Sequence, residues 1–198
     1  MRPSPLRQYS STRGTPPALV IQKRNHNAER PHVTEWVRCT ASELAKSISI
    51  WFGLPSQFQS VENLALGVLR KSELFYETEF LSLAQALEGF HRATTNTDVN
   101  FRTRITEICG RLSGPLLVRM EIEPLDSFVG DVVATRNFYT HAGGDPPTPG
   151  NRRPLEGPPL FFLNQKLKAL LRGVMLRCLE IPEERMFDVL VKEATQWR

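Results

Sequence analysis

Residues 135–144 read Thr-Arg-Asn-Phe-Tyr-Thr-His-Ala-Gly-Gly, and three of them have the chemistry to handle a phosphodiester. Arg136 offers a guanidinium fork that stays charged and grips phosphate oxygens two at a time. His141 carries an imidazole of the kind that gives and takes protons near neutral pH. Asn137 adds an amide able to orient either the imidazole or the phosphate. Cutting RNA without a metal ion requires three roles that these residue types suit. The ribose 2′-hydroxyl must lose a proton, the charge on the phosphorane must be stabilised, and the leaving oxygen must gain a proton. His141 is thus assigned to acid–base work, Arg136 to the phosphate and Asn137 to orientation. Dependence on the 2′-hydroxyl would confine the activity to RNA. A plainer reading competes: Arg136 in a buried hydrogen-bonded pair, and His141 against the last carbonyls of a helix.

The apolar repeat Leu125, Phe128/Val129, Val132/Val133 predicts a helix over residues 125–141, stopped by Gly143-Gly144. On it Asn137 and His141 are four residues apart and share a face. Arg136 lies about 140° around the axis from His141. Three devices can close that gap: a loosened helix end, the length of the arginine side chain, or a second subunit. A second polar set sits on a predicted helix over residues 76–95, where Phe80, Leu83/Ala84, Leu87 and His91 stack on one face. There Glu88, His91 and Arg92 stand at i, i+3 and i+4, and Glu88 to Arg92 is the favourable order for an intrahelical pair. These three either support the motif or form a satisfied polar patch between helices. Tyr139 can bond a phosphate or pack, and packing is the expectation. Arg152 and Arg153 can touch RNA or make a solvated turn.

Arg136, a polar Asn137 and then His141 resemble the R-x4-6-H signature of the HEPN superfamily, many of whose members are metal-independent RNases. Residues 79–92, Glu-Phe-Leu-Ser-Leu-Ala-Gln-Ala-Leu-Glu-Gly-Phe-His-Arg, resemble the F-L-x-L-x-x-A-L-E-x-x-H-R helix of Apea-like HEPN domains of bacterial abortive-infection proteins. With Trp51-Phe52 upstream, the resemblance spans about residues 40–198. It implies an endoribonuclease effector of anti-phage defence, acting on RNA as a homodimer whose two motifs face one cleft. It implies that Glu88, His91 and Arg92 stand opposite the motif helix, to orient His141 or line the RNA cleft. The alternative it leaves is a non-catalytic dimerisation or RNA-binding module. Apea-like proteins usually carry a β-rich region ahead of this domain, so a free-standing effector and a truncated remnant are both open expectations.

The rest of the chain fits a helical frame. Its 198 residues, 40% hydrophobic and 23% charged, suit one globular domain. A net charge of +4 and a pI of about 9.2 are compatible with an anionic partner. A helical DNA-binding regulator ranks last, because no helix-turn-helix with a basic recognition helix is visible. Cys39, Cys109 and Cys178 are odd in number and far apart, which speaks against disulfides and zinc and for reduced thiols in a cytoplasmic protein. No Gly-rich phosphate loop, metal set or cofactor motif appears, so neither metal nor cofactor is implied. No apolar run reaches the ~20 residues of a membrane span.

Residues 1–32, Pro- and Arg-rich with no periodicity, are expected to be a disordered tail ahead of a helical domain over 33–198. Thr40-Ala-Ser-Glu43 predicts a capping box opening a helix over 41–52, with Leu44, Ile48 and Trp51/Phe52 repeating at helical spacing. Further helices are expected over 56–71, over 99–113 with Gly114-Pro115 as its stop, over 160–180, and from Pro182 to about Gln196. Residues 144–159, crowded with proline, read as a loop beside the motif. The class is all-α, an antiparallel helical bundle of HEPN type.

Overall fold

The capping box predicted at Thr40 opens the first helix. The Glu43 N–H donates to Thr40 Oγ1 at 3.2 Å and the Thr40 N–H to the Glu43 carboxylate at 2.7 Å. Those backbone and side-chain bonds to Thr40 hold the Glu43 carboxyl below its ordinary range. In the computed structural model this helix is α1 (Ala41–Phe52), followed by α2 (Phe58–Arg70), α3 (Tyr76–Thr95), α4 (Phe101–Cys109), α5 (Gly114–Arg119), α6 (Leu125–Thr140), α7 (Gly157–Cys178) and α8 (Glu183–Thr195). The structure describes residues 37, 39–56, 58–70, 74–95, 97–141 and 152–196, all within one compact unit. The expected tail, 1–32, and residues 144–151 of the proline-rich stretch lie outside the described residues. Among the described residues there is no strand, and no helix is long and apolar enough to cross a membrane.

α3 is the axis of the bundle. It touches α2, α4, α6 and α7, so apolar side chains are buried on several of its sides: Phe80, Leu83, Ala84, Ala86, Leu87 and Phe90. Phe58 of α2 meets Phe90 edge to face at 5.7 Å, so α2 runs antiparallel to α3. α7 runs the same way as α3, because Asn164 donates to the Tyr76 carbonyl and Lys168 pairs with Glu79, one turn further along each helix. α8 folds back antiparallel on α7, with Arg172 against Glu193 at 2.8 Å. Burial pushes the Glu193 carboxyl up, with Arg172 and then Lys168 opposing it.

Two expectations need correction. Gly114-Pro115 does not end a helix but begins one. Ser113 caps α5 by accepting from the Leu116 N–H, and Pro115 fits a first turn whose N–H groups have no intrahelical partner. The same rule starts α7 at Gly157, ahead of the Leu160 expected, with Pro158 and Pro159 in its first turn. In α1, Trp51 packs against the core, but Leu44, Ile48 and Phe52 face outward and are 53%, 48% and 83% exposed. Apolar spacing marks a helix and its stripe, but it does not say which side the neighbours occupy.

Cys109 of α4 lies in the core, and burial, with Glu123 adding to it, pushes its thiol up to about 12. A thiol reagent at pH 8 should therefore label half-buried Cys39 in the native protein and reach Cys109 only on unfolding. Mass-spectrometric mapping of the labelled sites before and after denaturant checks this.

Candidate functional site

Arg136 projects from α6 toward α3 and α4. Its guanidinium lies 3.9 Å from the Glu88 carboxylate and 5.3 Å from the centre of the Phe101 ring, and its side chain is 31% exposed. The ring supports a flat cation from beneath, and the carboxylate holds it only loosely. Glu88 has a closer partner, Arg92, at 2.9 Å one turn along α3. One acid is therefore shared by two arginines, and an arriving phosphate would compete with a single long contact for Arg136.

Asn137 and His141 are both exposed. α6 ends at Thr140, and His141 has left helical geometry, with φ −99° and ψ 23°, while its N–H still donates to the Asn137 carbonyl at 3.1 Å. Asn137 and His141 thus sit one turn apart at an open helix end. Among the described residues no hydrogen bond joins Arg136 to either of them. Of the three devices that could unite the set, the loosened helix end is present, and it leaves Arg136 and His141 as separate groups within one chain.

The remaining site residues divide. Glu88 and Arg92 stand across from Arg136. His91 points the other way, wholly buried between α3 and α4. Its Nε2 lies 2.6 Å from Glu107, and its Nδ1 faces the Arg104 guanidinium and the Thr95 hydroxyl, each at 3.2 Å. A guanidinium only donates, so Nδ1 accepts and the ring proton sits on Nε2, aimed at Glu107. His91 is a joint between two helices, without a bond to the motif among the described residues. Tyr139 packs: its ring meets Phe80 and Phe138, and its hydroxyl donates to the Leu155 carbonyl at 3.3 Å. Burial, then Glu77 and Glu156, push its phenol up.

Arg152 is occupied as well. It donates to the Ser127 carbonyl and hydroxyl at 3.1 Å each and to Asp131 at 2.8 Å. Residues 152–155 then follow α6 as a strap, with the Leu155 N–H donating to the buried Thr135 hydroxyl at 3.0 Å. Gly130 makes the clasp possible, since a Cβ there would stand 2.5 Å from Arg152 Nε. Arg153 is exposed beside it. The partners Phe101, Arg104 and Glu107 were missed from sequence because they belong to α4, whose register against α3 and α6 is not written in any local pattern. Ser127, Asp131 and Thr135, which receive the strap, do carry a signal: they recur every four residues and mark one face of α6.

The clasp gives a prediction. Gly130→Ala should displace the flexible Arg152 side chain rather than bend α6, and alanine returns about 1 kcal/mol of helix propensity. Thermal stability should change little, while trypsin should cut the Arg152–Arg153 bond several-fold faster. Asp131→Ala should accelerate the same cut without the helical gain. Digestion timed by mass spectrometry beside a melting curve tests both.

Comparison with known proteins bears on this geometry. The family model for the Apea-like HEPN domain matches residues 81–185, more than half of the chain, from within α3 through the Arg136–His141 segment to the start of α8. No curated protein and no solved structure matches the chain.

Proposed function

The chain belongs to the Apea-like HEPN family, and from that premise we propose that it is a metal-independent endoribonuclease with Arg136, Asn137 and His141 as its working set. One observation supports the reading above others: Arg136 is partly exposed on an aromatic ring, weakly paired, on the same helix whose open end carries His141. A guanidinium that is steered but not neutralised is suited to a phosphate that carries extra charge in the transition state. An exposed imidazole at a helix end is free to take the 2′-hydroxyl proton or to protonate the leaving oxygen. Asn137, on the same face as His141, would orient one of the two. Glu88, paired with Arg92, would position Arg136, and the exposed Arg153 is the nearer candidate for a substrate contact, Arg152 being engaged with α6.

The proposal includes RNA as partner, no metal or cofactor, and a homodimer, since one chain leaves Arg136 and His141 unlinked and a second copy can supply the missing partner. The setting proposed with it, carried by the family resemblance, is cytoplasmic anti-phage defence through damage to host or phage RNA. The same lack of a link favours a second reading, a non-catalytic helical module that keeps the family scaffold for dimerisation or RNA binding.

Incubation with total RNA in EDTA separates the two. The wild-type protein should cut RNA and leave single-stranded DNA intact. His141→Ala should lower the rate at least ~100-fold, the lower range of general acid–base effects, with an unchanged circular dichroism spectrum. Arg136→Ala should do the same, and products should end in 2′,3′-cyclic phosphate. Cleavage that survives His141→Ala, or that EDTA abolishes, removes the nuclease reading.

A further inference from the structure

α1 carries its apolar stripe on the outside. Leu44, Ile48 and Phe52 are exposed at successive turns, and Ala41, Ala45 and Ser49, exposed alongside, complete a face without a single charge. The helix is fastened to the rest of the chain mainly by polar contacts. Ser47 donates to the Leu179 carbonyl at 2.9 Å, Lys46 pairs with Glu180, and Glu43 lies 3.8 Å from Arg185. Only Trp51 and the following Leu54 join the core. A helix tied down mainly by polar contacts, with Leu44, Ile48 and Phe52 turned away, is built to be covered by something else.

We propose that a second copy of this chain covers it, through an antiparallel α1–α1 seam. The spacing is what points to a copy. Leu44, Ile48 and Phe52 are symmetric about Ile48, so a two-fold axis there sets Leu44 against the partner's Phe52 and Ile48 against the partner's Ile48. An isologous contact requires such a face, complementary to itself. Ala41 and Ala45 let the two axes approach, and the absence of charge means that nothing repels across the axis. The flanking Glu43 and Lys46 already have partners within the chain.

Position and strength both follow. α1 is fastened to Leu179 and Glu180, just past the C-terminus of α7, whereas Tyr139 is tied to Leu155, just before its N-terminus. α7 has 22 residues, so these points lie about 33 Å apart along it. The seam is therefore separate from any pairing at the motif, and the proposal does not depend on the nuclease reading. One short helix per subunit falls below the ~1,200 Å² that stable complexes bury, so the association is expected to be weak and dependent on concentration.

Sedimentation of the full chain over a concentration series tests it. The wild type should self-associate, and the triple variant L44S/I48S/F52S should raise the dissociation constant at least tenfold with its helical spectrum retained. In a second arm, a short bismaleimide should give far more covalent dimer with Ile48→Cys than with Thr106→Cys, a control at an exposed position of α4 in the same cysteine background. A wild type that stays monomeric at every concentration overturns the proposal. So does a triple variant that associates as strongly as the wild type, or an equal dimer yield from the two cysteine variants.

Discussion

Burying the Arg104 guanidinium constrains the region around the candidate site more than any other single event. A charge taken out of water must be met by several acceptors, and Arg104 finds them in the His91 ring, the Thr97 carbonyl and Asp98. All three belong to the end of α3 or to the turn that follows. The corner between α3 and α4 therefore has one register. Phe101 opens α4 one turn ahead of Arg104, so that register also fixes where its ring lies, and the ring is the surface on which Arg136 rests. His91, buried and without contact to the motif, reaches it only through this corner.

The electrostatics around Arg136 follow from a shared acid. Glu88 binds Arg92 closely and Arg136 at a longer distance. The local group of one carboxylate and two guanidiniums keeps a net positive charge at the surface, and the arginine from the motif helix is the one held less tightly. Binding an anion there would exchange one weak internal contact for bidentate contacts to phosphate. Exposed charges feel salt, and the partial burial of Arg136 on an aromatic face moderates that screening.

Much of the frame was legible in the residues. The Thr40–Glu43 box, the stacked apolar face of α3, the Glu88–Arg92 pair and the helix carrying the motif are local patterns, and local patterns survive folding because their partners lie three or four positions away. What was not legible depends on which neighbour arrives. His91 has the spacing of a motif-facing residue but is claimed by Arg104 and Glu107 from α4. Arg152 looks like a free surface cation until Gly130 opens a space for it on α6. Gly114-Pro115 has the composition of a stop, yet a serine just ahead converts it into a start. The stripe of α1 was legible as a stripe but the side it faces was not, since periodicity has a phase but no sense of inside.

The polar tether of α1 has a consequence for how such a chain can change over time. Because the interior scarcely consults the residues at 44, 48 and 52, replacing them leaves the rest of the molecule nearly undisturbed. The choice of associate can drift, be lost or be acquired anew while the scaffold around Arg136 is inherited intact. Recognition and architecture are thereby placed under separate selection within a single short polypeptide.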